Sequence, residues 1–198
     1  MKHLLLSLGL CFSLLSVSSA QVTTDKGGKS DQILMKMHEV DMLLQILPLL
    51  LKKEQINDKI LPTIEKARDL LRKEEAYEDD ELAKLEPILD DAISGAYTKG
   101  AYPARKTTDE VATKTKNLSL KRSIVELEMV GSITDMLKVT LDAGQMKAML
   151  GSFDPKFIDP SIKPEAMTDD LKMNFFVRRV FMDATTYEIL KKLGKPAL

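Results

Sequence analysis

One cysteine, two histidines and no tryptophan are spread through a chain of 198 residues. A lone thiol cannot close an internal disulfide, so a cross-linked miniprotein and a paired-cysteine metal motif are both excluded. No Gly-rich phosphate loop and no nucleophile elbow occurs, which removes the usual sequence signatures of nucleotide binding and of serine hydrolases. Aromatic residues make up only 5% of the chain, too few for a stacked sugar-binding cleft. Charge of one sign is also lacking: 29 basic residues stand against 30 acidic ones. That balance gives no broad attraction for nucleic acid or for an anionic membrane. With 44% hydrophobic residues the chain can still bury a core of ordinary size.

The first twenty residues read as an address. Lys2 and His3 open the chain, Leu4 to Val17 is almost wholly apolar, and Ser18-Ser19-Ala20 offers small residues to a signal peptidase. Cleavage is expected after Ala20, giving a periplasmic or extracellular protein. Cys11 leaves with that segment. No later stretch approaches the roughly 18 to 20 apolar residues of a membrane span, so stable membrane insertion is not expected.

After a polar, Gly-rich leader over residues 21–30, apolar residues recur at helical spacing in one domain over 31–198. Ile33, Met37, Val40, Leu44 and Leu47 form a first stripe, which Pro48 should end. Ile56, Ile60, Ile64, Ala67 and Leu71 form a second, resumed at Leu82, Leu85, Leu89 and Ala92. Pro62 and Pro87 predict one long kinked helix or two abutting ones between about 53 and 94. Gly95, Gly100 and Pro103 mark a turn. Thr107 with Glu110 reads as a capping box opening a third helix, which carries Leu118, Val125, Met129 and Ile133. Asp142 with Gln145 caps a short helix to about Leu150. A Pro-rich connector spans 151–168, and Thr168 caps a last helix that Gly194 and Pro196 stop. In that helix Phe175, Phe176 and Phe181 read as core and Arg178 and Arg179 as its rim. The predicted fold is all-α: helical hairpins with long kinked helices, with 31–103 and 104–198 as candidate repeat halves.

The repeat rests on a short echo. Leu51 and Gln55 match Leu141 and Gln145 at an offset of 90 residues, each pair following an apolar helix end. In the second copy Asp142 can cap the helix while Gln145 reaches back to its first amide; Lys52 holds the equivalent place in the first copy. Two Leu-x-x-x-Gln turns in an exported helical chain resemble the periplasmic Spy/CpxP group, whose signature is Leu-Thr-x-x-Gln in two copies. Here Lys52 and Asp142 stand where that signature has threonine. The resemblance implies an ATP-independent chaperone or envelope-stress protein, usually a dimer, with metal-responsive sensors among its relatives.

Two further patterns bear on function. Nine acids and one base occupy residues 74–91, whereas 105–122 carries six bases and two acids, so folding back at the Gly95 to Pro103 turn would bring opposite charges together. On the first helix Met35, His38 and Met42 fall at steps of three and four, a thioether, imidazole and thioether set suited to Cu(I), with Zn as the other candidate. The opposing reading is Met-rich packing or a flexible binding surface. No catalytic residues emerge, because a nucleophilic arrangement would rest on His38 and a distant serine. The sequence therefore predicts a non-enzymatic binding protein whose partners are other proteins: unfolded clients, or a sensor partner. A metal-responsive sensor and a structural homodimer subunit are the alternatives.

Overall fold

The computed structural model describes residues 28–152 and 167–195. The expected signal segment, most of the leader and residues 153–166 of the expected connector lie outside the described residues. The chain divides into two units, Met1–Lys36 and Met37–Leu198. Within the first, the described residues begin helix α1 (Lys29–Ile46), where the Gly28 amide donates to the Asp31 carboxylate at 3.0 Å and Ile33 and Leu34 are exposed.

In the second unit α1 continues to Ile46 and passes into a 3₁₀ turn, Leu47–Leu49. Then come α2 (Lys53–Gln55), a π-turn at Ile56–Ile60, α3 (Leu61–Ala83), α4 (Glu86–Lys99), α5 (Arg105–Thr140) and α6 (Ala143–Ser152). After the connector follow α7 (Asp169–Phe176), a second π-turn at Val177–Phe181 and α8 (Ala184–Gly194). No strand occurs among the described residues; the fold is all-α.

Each boundary has a local cause. Pro48 lies inside the 3₁₀ turn, and Leu50 beyond it takes a left-handed backbone, φ 48°. Pro62 tolerates the helix around it because the widened π-turn just before it relieves the clash of its ring with the preceding carbonyl. Gly100, at φ 63°, ends α4, with its amide on the Ala96 carbonyl at 3.1 Å and the Ala101 amide on that of Gly95 at 3.3 Å. Two helix starts differ from the sequence reading. Helix α5 begins at Arg105, behind Pro103, with no side-chain cap at Ala104, and the Thr107–Glu110 box is not used. The expected last helix is split at Asp183, whose carboxylate accepts the Thr185 amide at 2.7 Å and the Thr186 amide at 3.2 Å to start α8.

The core is built from the second apolar run (Ile56, Ile60, Ile64, Ala67), from Met129, Ile133 and Leu137 of α5, and from Phe176, Phe181 and Leu190. Two phenylalanines meet there with ring centroids 5.8 Å apart. The charge pattern of the sequence closes the seam between α3 and α5. Lys121 Nζ lies 2.9 Å from Glu74 Oε2, Arg122 Nε donates to Glu78 at 3.0 Å, and Lys114 pairs with Glu81. Their order along the two helices is antiparallel.

The first stripe faces water instead of the core. Met37, Val40 and Leu44 do share a side of α1, continued by Leu47 of the 3₁₀ turn, but it is the solvent side; the buried face is Met42 and Ile46, continued by Leu49. Helix α1 is apolar on both sides, and ion pairs lie beside the inner one. Glu39 pairs with Lys192 at 2.8 Å and Asp41 with Arg179 at 3.4 Å.

Candidate functional site

Gln55 and Gln145 meet at the centre of the second unit. Each is the third residue of a helix start, where the first amides of the helix have no internal partner. Gln55 Oε1 accepts the Lys52 amide at 2.8 Å, and Gln145 Oε1 accepts the Asp142 amide at 3.0 Å. Asp142 completes a true capping box by accepting the Gln145 amide at 2.9 Å; Lys52, having no acceptor, leaves the other box half made.

What remains of each side chain crosses to the other turn. The two carboxamides donate to one another, 3.0 Å in each direction. The second proton of Gln55 goes to the Thr140 carbonyl at 2.7 Å, and that of Gln145 to the Leu50 carbonyl at 3.2 Å. The two glutamines stand 90 residues apart, and the same offset relates Lys52 to Asp142 and Leu50 to Thr140. The crossing therefore repeats one set of bonds under an approximate two-fold, with every amide donor used. Leu51 and Leu141, the other members of the echo, pack at the edge of the core. Chemically the crossing is a lock: both carboxamides are saturated and offer nothing to a ligand.

The three candidate metal ligands have separate surroundings. Met35 is 60% exposed. Met42 is 1% exposed and belongs to the apolar core. His38 Nε2 lies 2.9 Å from Asp183 Oδ2, the oxygen left over from capping α8. The imidazole thus has a carboxylate partner that ties α1 to α8, and one of the two thioethers is a packing residue. Among the described residues no group of three or more His, Cys, Asp and Glu side chains gathers for a metal.

The sequence reading did not identify Asp183 or the anchoring role of His38. An aspartate preceding Ala-Thr-Thr is a cap signal in its own right, but the strong apolar stripe running past it hid the break. Arg178 and Arg179 do rim the phenylalanines, Arg178 lying 3.4 Å from Glu126.

Two apolar stripes are left uncovered by the other described residues. Met37, Val40 and Leu44 on α1 and Leu47 just after it are all at least half exposed, Leu44 reaching 65%. On α5, Leu120, Ile124 and Leu127 follow the same spacing and are also more than half exposed. A shallow depression of about 360 Å³ lies along the start of α5 between Asp109 and Asn117. No helix among the described residues is long and apolar enough to cross a membrane.

Compared with protein-family models, with curated proteins and with solved structures, the chain matches none of them.

Proposed function

We propose that the processed chain acts in the periplasm or outside the cell as a chaperone-like binding protein, holding partly unfolded polypeptides on apolar helix faces without ATP. The observation that carries this reading is the solvent-facing stripe of α1. Four large apolar side chains at helical spacing are held outward while the opposite face of the same helix is sealed into the core. Contiguous exposed apolar surface of this kind marks an interaction face. Methionine at its start adds an adaptable contact that accepts many shapes.

Burying one such side chain contributes on the order of 1–2 kcal/mol. Four of them must overcome an association cost of about 4 kcal/mol or more, so binding is weak and reversible, as a holding function requires. The ion pairs Glu39–Lys192 and Asp41–Arg179 flank the stripe and keep the helix seated when a client leaves. Charge beside an apolar strip also prevents the face from closing on itself. The meeting of the two Leu-x-x-x-Gln turns supports the resemblance to the Spy/CpxP group on which the chaperone reading draws.

The test is light scattering of a reduced or heat-treated model client with the purified chain lacking residues 1–20. Suppression is expected at a few-fold excess without nucleotide, and a Met37→Ser, Leu44→Ser variant of unchanged helicity should lose most of it. Equal suppression by the variant, or none by the parent chain, overturns the proposal.

A further inference from the structure

The chain has three asparagines, and two of them tie elements of the fold together. Asn57 Nδ2 donates to the Gly194 carbonyl at 2.9 Å, and Asn174 Oδ1 accepts the Thr134 hydroxyl at 3.2 Å. Asn117 differs: it is exposed on α5, and its carboxamide bonds to no other described residue. It is also the one asparagine with Ser or Thr two places on, in Asn117-Leu118-Ser119. Asn-x-Ser/Thr, with x other than proline, is the acceptor sequence for N-linked sugar in a secreted protein.

Such a site makes two demands. Its asparagine and hydroxyl must be dispensable to packing, and the folded chain must leave room for a bulky, hydrated group. Leu118, the middle residue, is buried and carries the packing at this turn of α5, while Asn117 and Ser119 on either side of it are exposed. The Ser119 hydroxyl has no partner among the described residues; only its carbonyl is engaged, accepting the Ser123 hydroxyl at 2.9 Å. A helical side chain leans over the turn N-terminal to it. For Asn117 that turn borders the shallow depression of about 360 Å³, lined also by Asp109, Glu110, Thr113 and Lys114. Two of those side chains are engaged elsewhere, Lys114 with Glu81 and Asp109 with Arg105 at 3.6 Å. The first sugar residues can occupy the depression without displacing a packed side chain.

We infer that Asn117 is a site of N-linked glycosylation. The inference rests on the export part of the proposed function, in its extracellular rather than its periplasmic form, and is independent of client binding. The donor is an oligosaccharide carried on a lipid pyrophosphate. Asn117 Nδ2 attacks the anomeric carbon of the sugar; the bond from that carbon to the pyrophosphate oxygen breaks, the nitrogen gives up one proton, and the lipid pyrophosphate leaves. The Ser119 hydroxyl completes the signal that the transferase reads. Such sequences usually lie in surface loops, whereas this one lies well inside the helix Arg105–Thr140. Transfer therefore takes place as the chain enters the secretory lumen, before α5 closes, and Leu118 packs with the sugar already on its neighbour.

Cell-free translation of the full chain with rough microsomes tests this. A protease-protected product is expected that runs one step above that of the Asn117→Gln chain, and peptide N-glycosidase should remove the step. Asn117→Gln and Ser119→Ala should each be protected and lack it, Ser119→Thr should keep it, and Asn57→Gln should leave it unchanged. Transfer precedes folding, so no variant has to fold for the result to be read. A protected parent chain without the step, or a step that persists in Asn117→Gln, overturns the inference and leaves export standing. A parent chain that the protease digests in full overturns the inference and the export reading together. Client suppression needs no sugar, so its outcome is separate from both.

Discussion

Replacing Gln145 by alanine removes the two bonds exchanged with Gln55, the bond to the Leu50 carbonyl and the acceptor of the Asp142 amide. At about 1 kcal/mol net for each neutral bond, discounted for the partners that water can reach, the loss is about 2–3 kcal/mol. Gln55→Ala should cost a similar amount, because its bonds are the mirror set. The two losses share the reciprocal pair, so the double variant should be less destabilised than their sum by about 1–2 kcal/mol. Urea denaturation followed by circular dichroism measures all three. Strict additivity, within about 0.3 kcal/mol, would show that the carboxamides do not hold each other and would refute the two-fold crossing. Gln145→Glu is a sharper probe. A carboxylate of nearly the same size cannot donate, so it faces the Leu50 carbonyl and Gln55 Oε1 with oxygen against oxygen, and it should cost more than alanine at neutral pH.

Four further outcomes follow from other places in the fold. Leu50 is 81% exposed and left-handed, so Leu50→Gly relieves backbone strain with little lost burial and should raise stability by about 0.5 kcal/mol; an unchanged or lower urea midpoint would contradict this. Thr186 is fully buried and its hydroxyl has no partner among the described residues, so Thr186→Val should stabilise by about 1 kcal/mol, read as a higher thermal midpoint. A Cβ on Gly194 would run into the Asn57 amide oxygen and press on Ile56, so Gly194→Ala should destabilise by about 1–3 kcal/mol and break the Asn57 bond to the Gly194 carbonyl; full stability would show that Asn57 can step aside. Lys114, and then Lys84, hold the Glu81 carboxyl down at about 2 against an ordinary 4.5. A lowered folded-state value means the stabilisation is present above pH 4.5 and is lost as pH falls toward 2. Glu81→Gln should therefore flatten the acid limb of a stability–pH curve while leaving the His38 contact alone.

Apolar rhythm made most of the scaffold legible. Of the second stripe Ile56, Ile60, Ile64 and Ala67 are buried and Leu71 is partly so, whereas in its continuation Leu85 is buried but Leu82 and Leu89 are exposed. Asp142 and Gln145 form the cap their spacing predicts, because both partners of a capping box lie within one turn of sequence. What rhythm cannot supply is the choice between two apolar faces. On α1 the steps linking Met37, Val40 and Leu44 are as regular as those linking Met42, Ile46 and Leu49. The outcome depends on which face meets the rest of the core, which no local pattern reveals. The Gln55–Gln145 contact was visible as an echo but not as a bond, since nothing in either segment says that the two turns face each other. Thr107 failed as a cap for a different reason. Pro103 and the extended Ala104 already set the direction of the chain, and the helix begins three residues earlier, with Ala104 rather than Thr107 at the cap position.

The glutamine crossing also constrains how the molecule assembles. Bringing two segments so far apart along the polymer into contact closes a large loop, with an entropic cost of about 4 kcal/mol. The amide bonds there cannot return that until α5 is complete and laid across the earlier helices. The crossing is therefore a late event in folding, and variants of either glutamine should accelerate unfolding while leaving the refolding rate nearly unchanged.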